Sequence, residues 1–134
     1  MMRAYALSQT DDLLRRFEHA IERAAESGNA DSIHDLRVSI RRLSRCLRVF
    51  SQFYPGGHWK KVRKELSGLM RLAGAVRDRD IALELLAKSG ITGNRAAVRH
   101  LRAERLAAAQ QLASEIYRWS GRKLARRWRV RLGV

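Results

Sequence analysis

One cysteine and one proline punctuate this chain, Cys46 and Pro55. A single thiol rules out an intrachain disulfide and makes a reducing cytoplasm the expected setting. A single proline, with no run of alternating β-branched residues, argues against a β-rich fold and for long helices. Aromatic residues make up 7% of the chain, too few for a surface that stacks nucleic-acid bases. No apolar run approaches the roughly 20 residues that cross a bilayer, so no membrane partner is expected. Met1 to Leu7 carry neither a long apolar core nor a small-residue cleavage site, so no signal peptide is expected. Recognisable catalytic signatures are missing too. There is no Walker A loop, glycine-rich nucleotide loop or carboxylate cluster for metal ions, and Asp78 and Asp80 alone do not make one. His19, His58 and His100 show no metal-ligand spacing. The expectation is a binding protein with no catalytic residue, no metal and no cofactor.

Acidic residues are also scarce. Against 28 Lys and Arg stand 13 Asp and Glu, a formal net charge of +15 and a sequence pI near 11.5. So lopsided a balance points to an anionic partner. The hydrophobic fraction of 46% still provides for a core, and the length suits one domain over residues 1–134.

The charge is patterned. On a helix at about 100° per residue, Ile33, Leu36, Ile40, Leu43, Leu47 and Phe50 form an apolar stripe. His34, Arg37, Arg41, Arg45 and Arg48 form a second stripe, roughly a third of a turn away. A solvated face usually mixes signs, because opposite charges at i, i+4 stabilise it. This one is cationic at each turn and its cations repel unless an anion is bound. Arg offers a fixed fork of donors that suits phosphate oxygens. A later segment repeats the pattern: Val62, Leu66, Leu69, Ala73 and Val76 on one side, and Lys60, Lys64, Ser67, Arg71, Gly74, Arg77 and Asp78 on another. Ser67 and Gly74 either let a bound chain approach the backbone or ease close helix packing. Asp78 reads as an acid that orients an Arg or His.

The remaining punctuation gives four helices. The first is expected from about Thr10 or Asp11 to Ser27-Gly28-Asn29, with Leu13, Leu14, Phe17, Ile21 and Ala24 or Ala25 inward. The second runs from about Asp31 or Ser32 to Phe53, before the break at Tyr54-Pro55-Gly56-Gly57. The third spans about His58 to Lys88, with Gly90 past its end. After Thr92-Gly93-Asn94, the fourth runs from about Arg95 to Arg131. Its inner side is Val98, Leu101, the stem of Arg105, Ala109, Leu112, Ile116 and Trp119. The expected fold is all-α, an antiparallel four-helix bundle.

Two segments resemble a known family. His34-Asp-Leu-Arg37-Val-Ser-Ile-Arg41-Arg42-Leu-Ser-Arg45-Cys-Leu-Arg48-Val-Phe50 is similar to the opening signature of the CHAD family, the conserved-histidine α-helical domains. Leu69-Met-Arg71-Leu-Ala-Gly74-Ala-Val-Arg77-Asp78-Arg-Asp80-Ile is similar to its second. The resemblance extends loosely from about Leu7 to Trp128. It implies an all-helical domain that binds inorganic polyphosphate in a basic channel, often beside triphosphate-processing enzymes and with polyphosphate granules. The carried-over residues are His34, Arg37, Arg41, Arg42, Arg45, Arg48, Arg71 and Arg77, with Asp78 as the matching acid. Lys60 and Lys64 join them from the face pattern alone. The family domain is usually about twice as long, with two similar halves, so this chain corresponds to one half of a CHAD-like domain.

Alternatives stay open at several positions. His34 either donates to phosphate or satisfies a buried partner such as Asp78. Arg42 lies off the stripe and serves a ligand, a solvated face or a partner helix. Cys46 reads as a packed small hydrophobe. Arg122, Lys123, Arg126, Arg127, Arg129 and Arg131 form either a second contact surface or a solvated end. Nucleic acid is the competing partner, bound non-specifically through its phosphate backbone. No helix-turn-helix, zinc finger or RNA-recognition motif supports a specific reading. A half-domain also leads to the expectation of a homodimer, with Tyr117, Trp119 and Trp128 as anchors.

Overall fold

A computed structural model describes residues 1–90, 95–119 and 121–134. The chain is all-α, and no strand occurs among the described residues. The helices are α1 (Met2–Glu26), α2 (Ala30–Val49), α3 (Trp59–Lys88), α4 (Arg95–Trp119) and α5 (Gly121–Leu132). Two single 3₁₀ turns, Ser51–Phe53 and Pro55–Gly57, join α2 to α3.

Each of the first four helices runs antiparallel to its predecessor. Arg23 meets Asp35 at 3.0 Å near the α1–α2 turn, and Thr10 meets Cys46 at 3.6 Å far from it. Arg63 Nε donates to Ser44 Oγ across α2–α3 at 3.3 Å. Arg79 reaches Glu104, and Arg105 reaches Asp80 at 2.7 Å, across α3–α4. The predicted apolar stripes are the ones buried. Leu14, Phe17, Ile33, Leu36, Ile40, Leu43, Leu47, Leu66 and Leu112 are among the members of one continuous core.

Several boundaries differ from expectation. α1 begins at Met2, not near Thr10. Thr10 is no cap: its hydroxyl donates back to the Ala6 carbonyl at 2.7 Å, and it is buried against the Tyr54 hydroxyl at 2.7 Å. Asp11 is spent on Arg15 and Arg129. Asn29 caps α2, its side chain accepting from Ser32 N–H at 2.8 Å, so α2 starts slightly earlier than expected. α2 stops at Val49 because the chain must turn Tyr54 inward to reach Thr10. Gly56 and Gly57 then adopt positive φ, 61° and 70°, which a side chain would strain.

The expected fourth helix is described as α4 and α5, on either side of Ser120, which lies outside the described residues. Leu124, Trp128 and Leu132 share one side of α5. In α5 all three are buried, and Trp128 stacks on Phe17 with ring centroids 5.2 Å apart. Trp128 is therefore a core residue and not an anchor for a second subunit. Its indole N–H donates to Glu65, which also takes Arg131 at 2.8 Å. The link Thr92-Gly93-Asn94 lies outside the described residues.

Candidate functional site

The two basic stripes meet across one groove. α2 and α3 are antiparallel neighbours, and both turn their apolar stripes into the core. Their cationic stripes consequently flank the cleft between them. Arg41, Arg45 and Arg48 line it from α2, and Lys60, Arg63 and Lys64 from α3. Ser44 and Ser67 lie between these cations, with Ile40 and Met70 also in the lining. The cleft holds about 530 Å³ and has no acidic residue in its lining.

These cations have no carboxylate partners among the described residues. Among the described residues, none of the six forms an ion pair within the chain. Arg63 is held only by the neutral Ser44 hydroxyl. Lys60 sits 5.8 Å from the centroid of the Trp59 ring, a weak tether that leaves its donors available. Six like charges on two facing walls raise a local positive potential that is strongest where the walls converge.

The sequence expectations divide on this geometry. Arg41, Arg45, Arg48, Lys60 and Lys64 come together in the groove. His34 and Arg37 continue the same α2 stripe beyond it, so the α2 stripe from His34 to Arg48 is about 21 Å long. His34 is exposed; Arg37 is half-buried, and its Nε finds no hydrogen-bond partner among the described residues. Arg42 does not line this groove. It lies on the opposite side of α2, in a cleft shared with α1. Arg71 lines a third hollow, between α3, α4 and α5. Arg77 is drawn toward Glu84 at 4.0 Å. Asp78 is exposed and, among the described residues, orients neither an Arg nor a His. The structural acid of this motif is Asp80, buried and paired with Arg105. Arg105 contributes more than its stem, since its guanidinium also donates to the Gly28 carbonyl at 2.7 Å.

Gly74 is not needed for close packing, because a Cβ there would meet nothing within 4 Å. Two groove residues escaped the sequence reading, Ser44 and Arg63. Both carry a usable spacing signal. Ser44 stands three residues after Arg41 and four before Arg48, and Arg63 stands three after Lys60 and four before Ser67. Each lies on the inner edge of its stripe, nearer the neighbouring helix.

Elsewhere the titratable groups serve the fold. Burial pushes the Tyr54 hydroxyl's pKa up, its hydrogen bond with Thr10 partly offsets this, and Cys46 adds to the rise. Burial works against the Arg129 charge, but Glu18 and Asp11 outweigh it and raise its pKa. Among the described residues, no group of three His, Cys, Asp or Glu side chains could hold a metal ion. No described helix is long and apolar enough to cross a membrane.

The chain matches the CHAD domain over residues 6–133, nearly its whole length. It belongs to the CHAD family. No curated protein and no solved structure matches it. The CHAD family is associated with polyphosphate binding and is of a non-catalytic type.

Proposed function

We propose that this CHAD domain is a non-catalytic module that binds inorganic polyphosphate, with the α2–α3 groove as the primary seat. The observation that carries the reading is the unpaired state of Arg41, Arg45, Arg48, Lys60, Arg63 and Lys64 on two facing walls. Arg79, Arg105, Arg129 and Arg131 meet carboxylates across helices; here six cations line one groove with no such partner among the described residues. A narrow chain with one negative charge per unit and no bases matches that array. Each phosphate entering the groove neutralises repulsion already present in the empty protein. Arg37, with an unsatisfied Nε, and His34 extend the track along α2. Arg71, Arg77 and Asp78 fall outside the primary seat, and Arg42 belongs to a separate one. The reading carries with it a cytoplasmic setting and association with polyphosphate granules.

Assembly as a homodimer is part of the proposal on narrower grounds. Tyr117 is 88% exposed beside a cleft lined by Ala25, Ala113, Ser114 and Ile116. A twofold pair through this α1–α4 edge would cover that patch without obstructing the α2–α3 groove. The charge of +15 per subunit opposes such pairing at low salt, and bound polyanion would relieve it. Light scattering across salt, with and without polyphosphate, reads this directly: a monomer mass throughout rejects the pair.

Nucleic acid is the competing ligand, because its backbone offers the same phosphate charge. Direct competition at near-physiological salt tests the choice. Long-chain polyphosphate should displace labelled duplex DNA and structured RNA at equal phosphate concentration, and orthophosphate should displace neither. The proposal is wrong if DNA or RNA displaces polyphosphate.

A further inference from the structure

The cleft on the other side of α2 has an unusual defect in its charge pairing. α1 and α2 pack antiparallel with a regular register, in which Arg23 sits opposite Asp35 and forms a 3.0 Å ion pair. Seven residues back along α1 and seven forward along α2, about 10 Å away on each axis, the corresponding positions are Arg16 and Arg42. The same seat that holds opposite charges at one level holds like charges at the next. Both line the α1–α2 cleft, which has a volume of about 440 Å³. Both are exposed, and neither has an ion-pair partner among the described residues. His19, one turn along α1, lines the same cleft. Asp35 is the only acid in the lining and is already engaged by Arg23.

Two guanidiniums lining one cleft, neither engaged by a carboxylate among the described residues, make a seat for an oxyanion. A phosphoryl group can accept from both forks at once, taking the place Asp35 fills beside Arg23. The apolar floor of Leu13, Ala20 and Val38 offers a bound chain no specific contact, so the rim supplies the attraction.

We infer that the Arg16–Arg42 seat holds a second segment of phosphate chain, so that one molecule ties two polyphosphate segments together. This rests on the proposed function, because it takes the α2–α3 groove as the first segment's site. The two seats lie on opposite sides of α2, with Arg41 in one cleft and Arg42 in the other. A single stretch would have to leave one cleft and cross the exposed crest of α2, between Arg45 and Arg42, to enter the other. Two chains, or two distant parts of one, are the simpler occupants. The consequence is cross-linking: two phosphate seats on each chain gather polyanion chains into a network through multivalency.

The test mixes donor-labelled and acceptor-labelled long-chain polyphosphate with the full chain at near-physiological salt, and reads energy transfer alongside affinity. The natural sequence should bind and give strong transfer. Arg16→Glu with Arg42→Glu should lose the transfer while binding weakens by less than about fivefold, since the primary seat's counterion release is untouched. Arg16→Gln with Arg42→Gln, which reverses no charge, should weaken transfer in the same direction. Arg99→Glu with Arg102→Glu removes the same net charge from an exposed part of α4 and should leave transfer intact. Circular dichroism establishes that each variant is folded. Transfer that survives both Arg16/Arg42 variants overturns the inference, and so does equal loss in the α4 variant. If the natural sequence binds polyphosphate but gives no transfer, the second seat fails alone. If it does not bind at all, the proposed function fails first.

Discussion

Arg105 and Arg129 lie at helix junctions, and each is held by carboxylates. Arg105 joins Asp80 and the Gly28 carbonyl, tying α3, α4 and the α1–α2 turn. Arg129 joins Asp11 and Glu18, tying α5 to α1. Arg41, Arg45 and Arg48 are the same residue type on a neighbouring helix, yet none forms an ion pair among the described residues. The difference is in the neighbours. No acidic residue occurs between Asp35 and Glu65, so the second half of α2 and the start of α3 have no local carboxylate. Asp11, Glu18, Glu65, Asp80 and Glu104 instead stand where helices are fastened together. Arginine in this chain thus has two uses. Paired across helices, it fixes helix–helix geometry; gathered without acids in one groove, it is available to the proposed ligand.

That contrast can be broken from the paired side first, where the effect should be largest. Arg105→Met leaves Asp80 buried without its partner and frees the Gly28 carbonyl, so it should destabilise by roughly 3 kcal/mol. Denaturant unfolding measures it, and a loss under about 1 kcal/mol would place Arg105 with the unpaired group. Arg129→Met should cost less, about 1 to 2 kcal/mol, because its partners are nearer to solvent. Neither substitution should change polyphosphate affinity beyond what reduced folding explains.

Tyr54 sharpens the same comparison with a neutral group. Its pKa is raised in the folded state by burial, so at pH below about 10 it is protonated folded and unfolded alike. Above that, the unfolded chain releases the proton first. The unfolded state then binds fewer protons than the native one, and stability falls as pH rises. Tyr54→Phe should cost about 1 kcal/mol at neutral pH and should flatten part of the melting-temperature decline between pH 9 and 11. An unchanged alkaline slope would mean that Tyr54 ionises freely.

The smallest stability effect belongs to the groove. Arg41→Gln, Arg45→Gln and Arg48→Gln together should hold stability level or raise it by up to about 0.5 kcal/mol at low salt, by relieving repulsion. The gain should shrink as salt screens the charges. A clear loss of stability in the triple variant would show that these arginines serve the fold after all.

Most of this contrast was legible in the sequence because it depends on helical periodicity. The stripe from Ile33 to Leu47 and the one from Val62 to Val76 face the core as spacing requires. The five cations now gathered from Arg41 to Lys64 were found the same way. Periodicity gives a residue's angle about its own helix but not which neighbour stands there. That is why Arg71 was grouped with its stripe although it lines another cleft; Arg42, which lies off the stripe, came from the family motif and also lines another cleft. It is also why Asp78 was singled out over Asp80, two residues away, which pairs with Arg105 on a different helix. Thr10 misled for a different reason. A Thr before two Asp residues has the chemistry of a helix start, but its hydroxyl back-bonds within an already formed helix. The docking of Trp128 on Phe17 was not legible either, because it is a contact over a hundred residues apart in sequence.

The most direct test is calorimetric titration of long-chain polyphosphate into three folded proteins at near-physiological salt. These are the natural sequence, Arg41→Glu with Arg45→Glu and Lys64→Glu, and the charge-matched Arg99→Glu with Arg102→Glu and Arg126→Glu. Because the groove's cations are held together without carboxylates, their reversal should lower affinity by on the order of a hundredfold or more, and the matched variant should lose less than about tenfold. Equal losses in the two variants would contradict the account, reducing the α2–α3 groove to one part of a uniformly basic surface.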